Sequence, residues 1–155
     1  MAQKKFTYRL QKILEFKEKK EEEEKEKLAA LMELLEEEKR KKAALEQKLV
    51  EVQAELRQKQ VAGTLNVEEL RFYPGHIKNI KNLIRNQELR LQELAIRIRE
   101  QRNALMKAAQ ERQVYQKHKE KCQEEWQAEL DRAEAIMLDE LATINAARNK
   151  AEEDY

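Results

Sequence analysis

Two histidines and one cysteine are the side chains of this 155-residue sequence best suited to metal ligation, proton transfer or nucleophilic attack. Their placement argues against all three. His76 and His118 are too far apart in sequence to act as paired metal ligands, and neither stands in a ligand set of the usual spacing. No Gly-rich stretch is available to cradle a phosphate, because the whole sequence holds two glycines. Cys122 reads as a small apolar residue of a helical seam; alone, it cannot form an internal disulfide, which fits a reducing compartment. His118 reads as part of a solvated helix face and His76 as a surface recognition candidate. Catalysis needs groups held together in a water-excluding pocket. The expectation is therefore a non-enzyme with no metal and no cofactor.

The elements that carry these residues follow from composition. Glu, Lys, Arg, Gln, Ala and Leu dominate, 41% of residues are charged, and one proline and two glycines are all that punctuate the chain. Such side chains lose little rotamer freedom in a helix and tolerate solvent, which is the signature of long helices and coiled coils. With 32 basic against 31 acidic residues the net charge is +1, so no overall field favours nucleic acid or an anionic membrane. In the arginine-rich run RLQELAIRIRE, residues 90–100, Glu93 and Glu100 interleave with the bases, and no nucleic-acid partner is expected. No apolar run approaches the roughly 20 residues that cross a bilayer, and MAQKKFTYRL lacks the apolar core of a signal peptide. A cytosolic protein with protein partners is expected.

Hydrophobic spacing supplies the architecture. Placing Leu14 at heptad position a and Leu10 at d gives a-residues Leu14, Glu21, Leu28, Leu35, Lys42, Leu49 and Leu56. The d-residues are Leu10, Lys17, Glu24, Leu31, Glu38, Leu45 and Val52. Most are apolar, enough for a sustained helical seam, and the exceptions cluster at 17–24 and 38–42. The run KEKKEEEEKEK, residues 17–27, reads as a solvated helix laced by ion pairs one turn apart, each contributing about 0.2–0.5 kcal/mol, or alternatively as a disordered spacer. A second, more apolar seam runs through Ile77, Ile80, Ile84, Gln87, Leu91, Leu94, Ile98, Gln101, Leu105 and Ala108. Towards the C-terminus it continues as Cys122, Trp126, Leu130, Ala133, Met137, Leu141 and Ile144, where consecutive four-residue steps make a stutter.

Turn signals gather between Gln60 and Gly75. Gly63 can close a helix in the left-handed conformation, and Asn66 with Glu69 three residues on resembles a capping box. Pro74 lacks an amide hydrogen and its ring crowds the Leu70 carbonyl, so a helix begun at Val67 is expected to break or kink there. The predicted fold is all-α: a long antiparallel coiled-coil hairpin with helix 1 over about residues 4–60, a turn region at about 61–74 and helix 2 over about 75–150. At 1.5 Å per residue, helices of about 55 and 75 residues would be roughly 80 and 110 Å long, so the second overhangs the first. Residue 6 would then lie opposite the region near 130, leaving residues beyond about 135 without an intrachain partner. Residues 1–20 hold seven basic and two acidic side chains, residues 122–155 three basic and ten acidic, and the opposite signs favour the antiparallel hairpin over a parallel homodimer.

With both ends placed together, the chain resembles the FliJ family, the small coiled-coil components of the bacterial flagellar type III export apparatus. Phe6, Tyr8, Arg9, Leu10 and Leu14 resemble the family's opening F-x-Y-R-L-x-x-x-L pattern. Leu138, Asp139, Glu140, Leu141 and Ala142 resemble its closing D-E-x-A stretch, and Leu70, Tyr73, Ile77, Ile80, Ile84 and Gln87 its second-helix start. Pro74 and Gly75 depart from the uninterrupted helix expected there. The resemblance implies a monomeric, non-catalytic stalk, cytoplasmic and peripheral to the inner membrane through the export apparatus. It implies three partners: the hexameric export ATPase, the cytosolic domain of the export gate, and export chaperones. Its implied ATPase-ring contacts are Phe6, Tyr8, Leu10, Met137, Asp139, Glu140, Leu141 and Ile144. Its implied gate contacts are Phe72, Tyr73, His76, Ile77 and Ile80, unless Phe72 and Ile77 fold back onto Val61 and Leu65 to close the hairpin. A structural homodimeric scaffold, or the equivalent stalk of a virulence secretion system, is the alternative.

Overall fold

The computed structural model describes residues 5–154. Two helices account for nearly all of them, α1 (Gln11–Ala62) and α2 (Val67–Glu153), paired antiparallel as a hairpin in which α2 is the longer. The pairing divides into two compact units, Glu21–Lys107 and Met1–Lys20 with Ala108–Tyr155.

In the Glu21–Lys107 unit the heptad register fixes what is covered. Every a and d position of α1 from Glu21 to Val52 is buried or half-buried, including the charged ones, and so is each α2 seam residue from Ile77 to Leu105. The polar exceptions of the two seams meet. The Gln87 side-chain amide donates to the Glu38 backbone carbonyl at 3.0 Å and to the Glu38 carboxylate. The Gln101 amide does the same with the Glu24 carbonyl, also at 3.0 Å, and the Glu24 carboxylate. Glu24 and Glu38 are two heptads apart, as are Gln101 and Gln87, so one antiparallel register satisfies both layers. Lys42 adds an ion pair to Glu88 at 3.5 Å. Residues 17–27 are helical throughout, and Lys25–Glu21 and Lys27–Glu24 pairs lace that stretch as the sequence suggested.

The turn departs from expectation on the α2 side. Gly63, at φ 68°, ends α1 in the left-handed conformation, and the Thr64 amide closes back on the Lys59 carbonyl at 3.1 Å. The Asn66 side-chain oxygen accepts from the Glu69 amide at 2.8 Å, which caps α2 eight residues before Pro74. The predicted start at Gly75 or His76 is thus corrected to Val67, and the turn shrinks to Gly63–Asn66. Pro74 lies inside α2 because packing outweighs the lost bond. Tyr73 and Ile80 form a cluster with Val52, and Leu49, Leu56, Leu65, Ile77 and Ile84 pack against it. The Leu70 carbonyl that Pro74 leaves without a helical donor belongs to an exposed residue, so water can satisfy it.

In the other unit, α1 begins at Gln11 rather than near residue 4. Lys5–Tyr8 are not helical, a turn follows at Arg9–Leu10, and the Tyr8 carbonyl accepts from the Gln11 amide at 3.2 Å. Leu14, 1% exposed, is the most deeply buried residue here.

Candidate functional site

No group of histidine, cysteine and carboxylate side chains among the described residues could hold a metal ion. No helix among them is long and apolar enough to cross a membrane. What the molecule offers is surface, at three places.

The first is the end of α2. Every described residue from Asp131 to Asp154 is exposed, although the heptad stripe continues through it. Met137, Leu141 and Ile144 are each about half exposed, and Ile136 and Leu138 more so. Asp139 and Glu140 stand among them and line a shallow recess with Ile136, Thr143 and Ile144. Such a run of apolar side chains on a bare helix marks a surface that another molecule covers.

The second is the segment that leads into α1 and closes over α2 just before that bare stretch. The Phe6 ring meets Trp126 at 6.0 Å between centroids. Tyr8, 6% exposed, places its hydroxyl 2.7 Å from His118 Nδ1 and 3.4 Å from the Tyr115 carbonyl. Burial is the main reason the Tyr8 phenol is pushed above its ordinary pKa, with Cys122 and Tyr115 adding to it. Cys122 Sγ lies 3.7 Å from His118 Nε2. Lys17 pairs with Glu111 at 3.3 Å, two turns before His118 on α2. Cover ends at Leu130, which is half-buried, so Phe6 faces Trp126, close to the region near 130 that helix lengths suggested. His118 is exposed, in line with its reading as part of a solvated helix face, and is also the partner of the Tyr8 hydroxyl. Arg112, Tyr115 and Lys119 fill the seam between Ala108 and Cys122, where an apolar pattern gave no signal.

The third is the turn end. The five expected gate residues divide sharply by exposure. Tyr73 (5% exposed) and Ile80 (2%) are core, His76 and Ile77 are half-buried, and Phe72 is 59% exposed. Lys59 sits 5.3 Å above the Tyr73 ring and pairs with Glu69 at 3.2 Å. The Tyr73 hydroxyl and then the Glu69 carboxylate hold the Lys59 ammonium above its ordinary pKa. Phe72 stacks on His76, with centroids 5.0 Å apart and planes 19° from parallel, and meets the Tyr73 ring edge-on at 5.7 Å while staying largely exposed. Tyr73 rather than Phe72 therefore closes the hairpin. Val61, Val67 and Leu70 are exposed nearby.

Compared with known proteins, the chain matches a family model described as "Flagellar FliJ protein" over residues 5–151. No curated protein and no solved structure matches it.

Proposed function

The chain belongs to the flagellar FliJ family, and from that premise we propose that it is a stalk-like, non-catalytic component of flagellar protein export whose bare α2 end enters the ring of the export ATPase. The family ties the chain to flagellar export, within which the ring, the gate and the chaperones are the partners proposed. The observation that carries it is the exposure of every described residue from Asp131 to Asp154 on a helix that keeps its apolar stripe. Met137, Leu141 and Ile144 would pack on the ring's inner wall, with Asp139 and Glu140 meeting polar or basic groups there. Phe6, Tyr8 and Leu10 serve the same end indirectly: Phe6 and Tyr8 hold the leading segment onto α2, and half-buried Leu10 adds little free surface.

At the turn, Phe72 and His76 are the side chains with free surface for the cytosolic domain of the export gate, while Tyr73, Ile77 and Ile80 set the backbone that presents them. Export chaperones are the third partner class. The protein would be cytoplasmic and held at the inner membrane through these partners. Within each unit the seams of α1 and of α2 as far as Leu130 cover each other, which supports a monomer over a parallel homodimeric scaffold. Removing residues 135–155 should abolish stimulation of the ATPase without changing thermal stability. Undiminished stimulation by the truncated chain would overturn the ring reading. Recovery of the ATPase from cells with the full chain as bait, and not with the truncated one, is the companion result expected.

A further inference from the structure

The unit built from Met1–Lys20 and Ala108–Tyr155 changes sign along its length. Residues 5–20 and 108–122 together hold ten basic and four acidic side chains, whereas residues 123–154 hold ten acidic and three basic. The basic part has an outward face distinct from its seam. Lys12 and Ile13 stand four and three residues before Phe16 on α1, Lys19 and Lys20 three and four after it, so the five share one face, and all are exposed. Phe16 is 63% exposed and Ile13 40%. Lys17 points the other way and is taken by Glu111. Glu15, at the edge of this face, is held by the Gln11 side-chain amide at 3.3 Å, and Glu23 follows Lys19 by four residues and Lys20 by three. An exposed phenylalanine ringed by lysines, in a chain whose net charge is +1, is a local device rather than a property of composition.

We propose that this face docks on an acidic protein surface at the mouth of the ring that the bare α2 end enters. The inference rests on the ring reading above and adds the charge of the socket: acidic at its rim, where Lys12, Lys19 and Lys20 meet it, and basic or polar within, where Asp139 and Glu140 arrive. Phe16 and Ile13 supply the apolar centre of the rim contact, and the lysines supply steering and register, since charges at a contact's edge act mainly on encounter rate. An anionic bilayer would also attract the lysines. It would repel the ten acidic side chains of the adjoining stretch in the same unit, so the protein surface is the better complement.

Titrating the chain into the export ATPase separates the two claims, because the bare end sets the maximum stimulation and the lysine face sets the concentration at which it is reached. For Lys12→Glu/Lys19→Glu/Lys20→Glu the half-saturating concentration should rise roughly tenfold or more at low salt, the salt dependence should flatten, and the plateau should stay at the wild-type value. Phe16→Ala should raise the half-saturating concentration while keeping the wild-type salt dependence. The milder Lys12→Gln/Lys19→Gln/Lys20→Gln variant, with an unchanged circular-dichroism melt, guards against a folding artefact and should show a smaller shift in the same direction. If removal of residues 135–155 collapses the plateau while all three face variants titrate like wild type, the docking face is refuted and the ring reading stands. If the truncated chain keeps the plateau, the ring reading falls and the rim contact falls with it. If the face variants lose binding to phosphatidylglycerol vesicles but titrate the ATPase normally, the face belongs to lipid and the proposal is overturned.

Discussion

Leu94 and Leu141 occupy the same kind of position on the same helix, an apolar seam residue of α2, yet one is 4% exposed and the other 50%. Neither local composition nor helix propensity distinguishes them. What differs is whether α1 or the segment before it lies opposite. Cover stops at Leu130, and beyond it the same pattern that makes a core makes an open surface. A heptad stripe therefore names the face that will be covered. Only the length of the neighbouring element says whether the cover comes from this chain or from another molecule.

The largest effects should separate these two leucines. Leu94→Ala should cost about 2–5 kcal/mol in urea unfolding, as for other buried leucines, whereas Leu141→Ala should stay within about 0.5 kcal/mol of wild type. The order should reverse for ATPase stimulation, which Leu141→Ala impairs in a fully folded chain. Equal stability losses would mean that the bare stretch is covered within the chain after all.

The same contrast sharpens at the turn, between adjacent aromatic residues. Tyr73→Ala removes a core ring and the platform under Lys59 and should cost about 3 kcal/mol. Phe72→Ala, at an exposed ring, should change stability by less than about 0.5 kcal/mol while weakening binding to the gate's cytosolic domain. Loss of gate binding by Tyr73→Ala alone would report a displaced backbone rather than a contact.

Smaller effects belong to the polar layers. Gln87→Ala leaves the Glu38 carboxylate in a half-buried seam without its amide donor and should cost about 1–3 kcal/mol. Replacing Glu38 and Gln87 together by leucine should recover most of that loss but broaden the distance distribution between spin labels on α1 and α2, because one of two register-setting layers is gone. The smallest effect is one of pH. Hydrogen bonding from Gln87, helped by Lys41, holds the Glu38 carboxyl below its ordinary pKa against the opposing pull of burial. Its contribution to stability is therefore complete above the ordinary carboxylate pKa and is lost as pH falls through the lowered value. Glu38→Gln should flatten that part of the acid limb of the stability profile, and an unchanged acid limb would show that the layer carries no net charge coupling.

Most of the fold was legible because heptad spacing is a repeated signal. All fourteen a and d positions assigned to the first seam, Leu10 just ahead of α1 included, are buried or half-buried, and the α2 seam holds from Ile77 to Ala108. The glycine that closes α1 and the asparagine that caps α2 were equally readable, since each acts through its own backbone neighbourhood. Pro74 misled because its local cost is visible in the sequence, whereas the compensating cluster of Val52, Tyr73 and Ile80 is assembled from distant residues. The start of α1 misled for the same reason: helix 1 was expected from about residue 4, but Trp126 and His118 meet Phe6 and Tyr8 ahead of the helix. Charged seam residues looked like weak spots until each layer found its counterpart, Glu38 with Gln87 and Glu24 with Gln101. Of the candidate surfaces, the bare end of α2 followed from counting helix lengths. The division between exposed Phe72 and buried Tyr73 depends on helix phase at a proline, which sequence spacing left open.

Amide hydrogen exchange, measured on the chain alone and on the chain bound to the ATP-loaded export ATPase hexamer, tests the central claim most directly. Residues 131–154, exposed throughout, should exchange fastest within α2 in the free protein and become strongly protected in the complex. Protection confined to other segments, with residues 131–154 exchanging as fast as before, would contradict the account.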